Sequence, residues 1–199
     1  MRIGDVCEAK SAWPSRTNWW LCFRRESGAE APDSKGETVL AAYTAFHVLL
    51  SLIGIGTGFI VIFGLIAGRW LGLWTSIFLW TTILTSVTGF FFPFKGITPG
   101  IVLGIISLVV LAVSLFALYS KKMAGGWRTT FVITAVIAEW LNFFVLIAQL
   151  FEKVPALHTL APTNTEPPFK IAQLVALIVF VVLGFLAAKN FRQAQLQTA

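Results

Sequence analysis

Charged side chains are scarce in this 199-residue chain, and their scarcity limits the class of protein. Asp, Glu, Lys and Arg together make up 12% of the residues, whereas 57% are hydrophobic, and the mean hydropathy is +0.81. One soluble core of this size cannot enclose so much apolar surface without leaving large patches in water. The composition therefore predicts a chain whose main solvent is lipid.

Cysteine and histidine are also rare, which argues against most metal and haem sites. The two cysteines, Cys7 and Cys22, lack the spacing of a metal site or a disulfide framework. A bis-histidine haem needs two axial ligands, but His47 alone lies in an apolar stretch, and His158 lies in a polar connection. The sequence has no Walker loop, dinucleotide fingerprint, zinc-protease motif or nucleophile elbow. We therefore predict no cofactor and no metal, and an enzyme is not favoured.

The chain does contain five apolar stretches with almost no charge, near residues 39–68, 71–92, 98–120, 129–151 and 171–188. Each is close to the roughly 17 to 25 residues that a helix needs to cross a bilayer. They predict an all-α integral membrane bundle of five transmembrane helices. This bundle would occupy residues 38–192, with a short C-terminal tail at 193–199.

The first 37 residues have a different composition, with six basic and six acidic side chains among Gly, Ser and Pro. Their aromatic cluster at residues 19–23 is shorter than the 7 to 15 or so apolar residues of a signal peptide. We expect a disordered tail without a cleavable signal. The net charge of +6 therefore arises within the membrane part, where it is typical of orientation by Lys and Arg rather than of nucleic-acid binding.

Basic residues are divided unequally between the two sides of the predicted bundle. The side that includes the C-terminus holds six, namely Arg69, Lys121, Lys122, Arg128, Lys189 and Arg192. Apart from the tail, the other side holds Lys95, Lys153 and Lys170. Because Lys and Arg concentrate in cytoplasmic loops, we expect an outside N-terminus and a cytoplasmic C-terminus, although basic residues in the tail act against this orientation.

The fourth apolar stretch carries the most informative polar residues. Glu139, Asn142 and Gln149 fall near one face of a helix, and such groups are costly in hydrocarbon unless they have partners. We expect them to point into the bundle or toward water. Glu139 has two interpretations: a structural residue that is protonated or hydrogen-bonded, or a group that handles protons or cations.

The order of the helices places most buried polar residues in one half of the membrane. On the first helix, a stripe of His47, Ser51, Gly54 and Gly58 is expected to face protein. The candidate polar pocket comprises His47, Ser51, Thr85, Thr88, Glu139, Asn142, Gln149, His158 and Gln173. The connection at residues 152–170 is long enough to be functional, and two interpretations stay open: a lid over this pocket or an inert connector.

Six segments of the apolar part of the chain carry a resemblance to known proteins, namely Phe91-Phe-Pro-Phe, Gly104-Ile-Ile-Ser-Leu-Val-Val-Leu, Thr134-Ala-Val-Ile-Ala, Leu141-Asn142, Val154-Pro-Ala-Leu-His-Thr-Leu-Ala-Pro-Thr and Glu166-Pro-Pro-Phe-Lys-Ile-Ala-Gln. With these segments the chain resembles small uncharacterised multi-pass inner-membrane proteins of bacteria. The resemblance covers about residues 38–192 and implies a bacterial inner-membrane address, but it brings no activity with it. Glu139 stands where the resemblance implies an apolar residue.

Three functional hypotheses follow from these patterns. The first is a non-enzymatic membrane component or accessory subunit that binds a small molecule or lipid in an outward-facing polar pocket. The second is a small transporter or channel that uses Glu139 and Asn142, and the third is a quinone- or haem-linked redox protein that depends on His47. The expected partners are the lipid bilayer, a small apolar or amphipathic ligand, and another membrane protein or a second copy, with no nucleic acid.

Overall fold

The computed structural model describes residues 34–92 and 99–197, and this part of the chain is helical without any strand. Its α-helices are α1 Ser34–Ile66, α2 Gly72–Gly89, α3 Pro99–Leu115, α4 Trp127–Lys153, α5 Pro155–His158 and α6 Pro167–Gln197. A π-helical turn, Phe116–Ser120, continues α3. The predicted all-α class is confirmed.

Four of the described helices are long and apolar enough to cross a membrane. They cover Lys35–Ile66, Pro99–Ser120, Trp127–Lys153 and Pro167–Phe191. Helix α2 is not among them, because its 18 residues include five threonines, two serines and two tryptophans. These lengths and compositions are those of a multi-pass membrane protein, and the prediction of five transmembrane helices is not confirmed.

The helix boundaries differ from the predicted ones at both ends of the bundle. Helix α1 begins at Ser34 and α6 continues to Gln197. Residues 34–37 and 193–197 are therefore helical, although they were predicted to belong to the tails. Residues 1–33, with both cysteines and most of the predicted disordered tail, lie outside the described residues, as does Lys95. The chain divides into two compact units at the boundary between Tyr43 and Thr44. The packing described below lies within the unit that begins at Thr44.

Helices α1 and α2 form an antiparallel pair joined by a short turn. A Cβ at Gly64 would meet Leu71 next to the turn, and a Cβ at Gly54 would lie 3.4 Å from Thr82 Oγ1. At the far end, His47 Nδ1 lies 2.8 Å from Thr88 Oγ1. Because these α1 positions are glycines, the side chains of Leu71 and Thr82 lie directly against the α1 backbone, as is usual where small residues line an interface between membrane helices.

Helices α4 and α6 form a second antiparallel pair, held mainly by aromatic side chains. The ring centroids of Phe151 and Phe169 are 5.6 Å apart, and those of Phe143 and Phe180 are 5.5 Å apart.

Helix α6 also contacts the end of α1, where Asn190 Nδ2 donates to the carbonyl of Ile66 at 3.0 Å. This bond satisfies a carbonyl at the end of α1 that has no partner within its own helix.

An apolar core fills the half of the bundle in which α1 ends and α4 begins. Its fully buried members include Val61, Leu65, Phe78, Leu79, Leu111, Phe131, Val132 and Ala135. A smaller cluster at the opposite end joins α4 and α6 to the connection between them, through Ile147, Phe151, Ala161 and Phe169. Between the two ends, α1, α2 and α4 meet around polar side chains.

Candidate functional site

Glu139 lies near the middle of α4 and is fully buried, with 0% of its surface exposed. A Cβ at Gly58 would clash with both the carboxyl carbon and Oε2 of Glu139, so the carboxyl packs directly against the α1 backbone. Neither carboxyl oxygen has a hydrogen-bond partner among the described residues. A buried carboxyl without a partner is costly, which singles out Glu139 as the candidate functional group.

Asn142 and Thr82 provide the polar surroundings of this carboxyl. The Asn142 side chain lies close to Glu139, and its Nδ2 donates to Thr82 Oγ1 at 3.1 Å. Gly54 lies next to this pair, since a Cβ there would be in ordinary contact with Asn142 Nδ2 at 3.8 Å. We call Gly54, Gly58, Thr82, Glu139 and Asn142 the carboxyl cluster.

A second polar group lies where the first half of α1 meets the C-terminal end of α2. The His47–Thr88 bond joins two half-buried side chains, and the His47 ring packs edge-on against Phe92 with centroids 5.2 Å apart. The Ser51 hydroxyl donates to the His47 carbonyl at 3.1 Å, so its polarity is satisfied within α1. The structure therefore brings His47, Ser51 and Thr88 together.

Thr85 lies on α2 between these two polar groups. Its hydroxyl is buried and has no hydrogen-bond partner among the described residues. Thr88, Thr85 and Thr82 follow one another at three-residue intervals, so each neighbouring pair shares a face of α2. This row of hydroxyls leads from His47 to the carboxyl cluster.

The other predicted pocket residues make different contacts. Gln149 is exposed, with its Nε2 3.5 Å from Glu152 Oε2. His158 is exposed on the short helix α5. Gln173 Nε2 donates to the carbonyl of Phe144 at 3.1 Å, which ties α6 to α4. These three residues have no described bond to the carboxyl cluster or to His47.

The connection between α4 and α6 has its own hydrogen-bonded structure. The carboxylate of Glu166 accepts bonds from the N–H and hydroxyl of Thr163, at 3.2 and 2.8 Å, and from the N–H of Thr165 at 3.0 Å. Desolvation raises the pKa of Glu166, but these bonds outweigh it and lower the pKa from its ordinary value. Ala161 is buried against the α4 and α6 side chains, so the connection is packed onto these helices.

Sequence reasoning missed two features of the carboxyl cluster. Thr82 was not among the candidate residues, although its three-residue interval from Thr85 could have indicated a continuous row. Gly58 was expected only as a small residue at a helix interface, although it lies on the stripe with His47. No group of three or more His, Cys, Asp or Glu residues that could hold a metal ion occurs within residues 34–92 and 99–197.

A separate, open groove of about 380 Å³ runs between α4 and α6. It is lined by Ile133, Val136, Ile137, Trp140, Leu177, Phe180, Val181, Gly184, Phe185 and Ala188. All of these side chains are apolar except the indole N–H of Trp140, which is buried without a partner among the described residues. This lining suits contact with lipid chains.

No protein-family model, curated protein or solved structure matches the chain. Its function is therefore inferred from its own side chains.

Proposed function

We propose that this chain is a non-enzymatic membrane protein that binds a proton or a small cation at Glu139, as a small transporter or a coupling subunit. The observation that carries the proposal is the carboxyl of Glu139, fully buried and without a hydrogen-bond partner among the described residues. An unpaired buried charge is unstable in such surroundings. The carboxyl is therefore stable only when a proton or another cation neutralises it.

The carboxyl cluster supports this function better than a pocket for a small molecule or lipid. Such a pocket would need Gln149, His158 and Gln173 to converge with Glu139, but two are exposed and the third bonds to the α4 backbone. A bis-histidine haem at His47 would need a second axial ligand, but the other histidine, His158, is exposed on α5 and has no described bond to His47. Binding of a proton or a small cation needs only the carboxyl cluster, whose residues do lie together.

The proposal includes α2 as a fifth membrane crossing. Contacts with α1 extend from Leu71 to Thr88, and 18 helical residues span about 27 Å at 1.5 Å per residue, close to the thickness of a hydrocarbon core. The hydroxyls of Thr75, Thr81 and Thr88 donate to carbonyls four residues earlier, at 2.7 to 2.9 Å. Their polarity is thus satisfied within α2, which makes burial in lipid or protein less costly.

The proposal also includes a location in the bacterial inner membrane and an N-terminus on the outer side. Their support is the resemblance described above and the excess of basic residues on the side of the C-terminus. In this orientation, His47 and Thr88 would lie near the outer surface.

Modification with a hydrophobic carbodiimide tests the proposal, because this reagent reacts with protonated carboxyls in apolar surroundings. We expect mass spectrometry of the full chain to find the adduct on Glu139, and its yield to fall as pH rises and the carboxyl ionises. Glu139→Gln should abolish this adduct and any proton or cation flux in liposomes. The matched control is Glu152→Gln, which removes an exposed carboxyl from the same helix and should leave both unchanged.

A pH-independent yield, together with unchanged flux in Glu139→Gln, would mean that Glu139 is only a structural residue.

A further inference from the structure

We infer that the ion exchanged at Glu139 is a proton, and that in this conformation it is exchanged with one membrane surface only. That surface is the one near His47, and the route is the row of polar side chains that ends at Asn142. The inference rests on the proposed function and specifies its substrate and the side of access.

The surroundings of the carboxyl suit a proton better than a metal cation. Metal cations are held by several oxygen ligands, six to eight in the case of calcium. On the α1 side, the carboxyl packs against the Gly58 backbone without space for a Cβ. The polar side chains of the carboxyl cluster besides Glu139 are Asn142 and Thr82, so it offers fewer oxygen ligands than such a cation needs. A proton needs neither a cavity nor further ligands.

The row of hydroxyls on α2 provides positions through which a proton can move. Successive members, from Thr88 through Thr85 to Thr82, are separated by about 4.5 Å along the axis at 1.5 Å per residue. Each hydroxyl can both donate and accept a hydrogen bond. The buried hydroxyl of Thr85, which has no described partner, is a polar group that an entering water can satisfy.

The transfer itself is a simple proton exchange. When the carboxylate is loaded, one O–H bond forms on Glu139 and one O–H bond breaks on the donor water. Water at the membrane surface then returns a proton to the donor water by way of the row of hydroxyls. Nothing is oxidised or reduced. His47, half-buried at the start of the row, has a second ring nitrogen beyond the one engaged with Thr88.

The opposite half of the bundle is closed by apolar side chains. Leu65, Phe78, Leu79 and Phe131 are each no more than 1% exposed and belong to one contiguous cluster. Ser114 is buried in this half, and its hydroxyl has no described partner. Thr75 is also buried in this half, and its hydroxyl donates to the Leu71 carbonyl at 2.9 Å. Two separate hydroxyls among such residues do not form a continuous polar route.

No other charge faces the carboxyl from the helices packed against it. On α1 the nearest titratable group is His47, about 16 Å along the axis from Gly58 at 1.5 Å per residue. Helix α2 has no titratable side chain. The charged groups of α4 are Arg128, Glu152 and Lys153, near its ends, and those of α6 whose side chains are described are Lys170 and Lys189. The proton occupancy of Glu139 therefore depends on access rather than on an ion pair.

The test uses the full chain in vesicles, with Cys7 and Cys22 replaced by Ser and sidedness assigned from a cysteine label at position 124. The readout is carbodiimide modification of Glu139 after a pH jump on one side. A jump at the surface near His47 should change the modification rate at once. A jump at the other surface should have no effect until the pH equilibrates across the membrane.

Two hydroxyl variants make the route testable. Thr85→Val removes a buried hydroxyl with little change in shape and should slow the response several-fold, whereas Thr85→Ser should restore it. The matched control is Ser114→Ala, which removes a buried hydroxyl from the closed half and should leave the response unchanged.

The possible failures are distinguishable. Equal responses to jumps on the two sides, or an unchanged rate in Thr85→Val, would overturn the one-sided route while leaving the proposed function intact. Protection of Glu139 by sodium at constant pH would overturn the assignment to a proton. Modification that never varies with pH or cations would overturn the proposed function itself.

Discussion

Gly58 is the residue on which the position of the Glu139 carboxyl depends most directly. Gly58→Ala would introduce a methyl group into the space that the carboxyl occupies. Overpacking of this kind costs about 1 to 3 kcal/mol, so we expect lower stability in detergent-based unfolding. Gly56→Ala is the matched control, because a Cβ there meets nothing within 4 Å, and alanine favours helix by up to about 1 kcal/mol.

A second substitution separates the effect of the carboxyl from that of the helix backbone. Glu139→Ala in the Gly58→Ala background removes the clashing group and should recover most of the lost stability. Equal stability of Gly58→Ala and Gly56→Ala would contradict the observed packing of the carboxyl on α1.

At the scale of secondary-structure elements, the path of α2 determines on which side of the membrane the connections lie. If α2 crosses the membrane, the turn after α1 and the connection before α4 lie on the same side. Single cysteines at the exposed positions Ala67 and Ala124, in a chain without Cys7 and Cys22, should then react together with an impermeant reagent. Their labelling from opposite sides would show that only α1 and α3 cross in this part of the chain.

The composition of α2 explains why average hydropathy does not identify it as a membrane-spanning helix. Its apolar residues Phe78 and Leu79 are buried against the core, while its threonines either bond within the helix or join the polar row. A hydropathy average counts every hydroxyl as if it faced lipid. Side-chain bonds to the helix backbone and to neighbouring helices reduce the cost of these groups. The bonds to neighbouring helices exist only in the assembled fold.

At the scale of the whole molecule, the charge distribution predicts orientation. A C-terminal reporter that is active only in the cytoplasm should be active, and the same reporter inserted at residue 160 should be inactive. The physical basis is the six basic residues on the C-terminal side against three on the other, leaving aside the tail. The reverse activities would invert the orientation and move the His47 surface to the cytoplasm, without changing which helices contact one another.

The sequence by itself determined the membrane class, the all-α fold and the approximate positions of the helices. These properties follow from the length and composition of local segments, which need no knowledge of their neighbours. The cost of a carboxyl in hydrocarbon likewise made Glu139 a candidate before any packing was known. Periodicity along α4 also placed Asn142 near the same face.

Only the tertiary structure decided which groups meet across the helices. Helical periodicity identifies a face but not the rotation and register of the helix that packs against it, and these depend on how ridges and small residues interlock. The close approach of Gly58 to Glu139 and the bond from Asn142 to Thr82 are consequences of that register. The exposure of Gln149 has the same origin, because α1, α2 and α4 meet near the middle of α4, whereas Gln149 lies near its end.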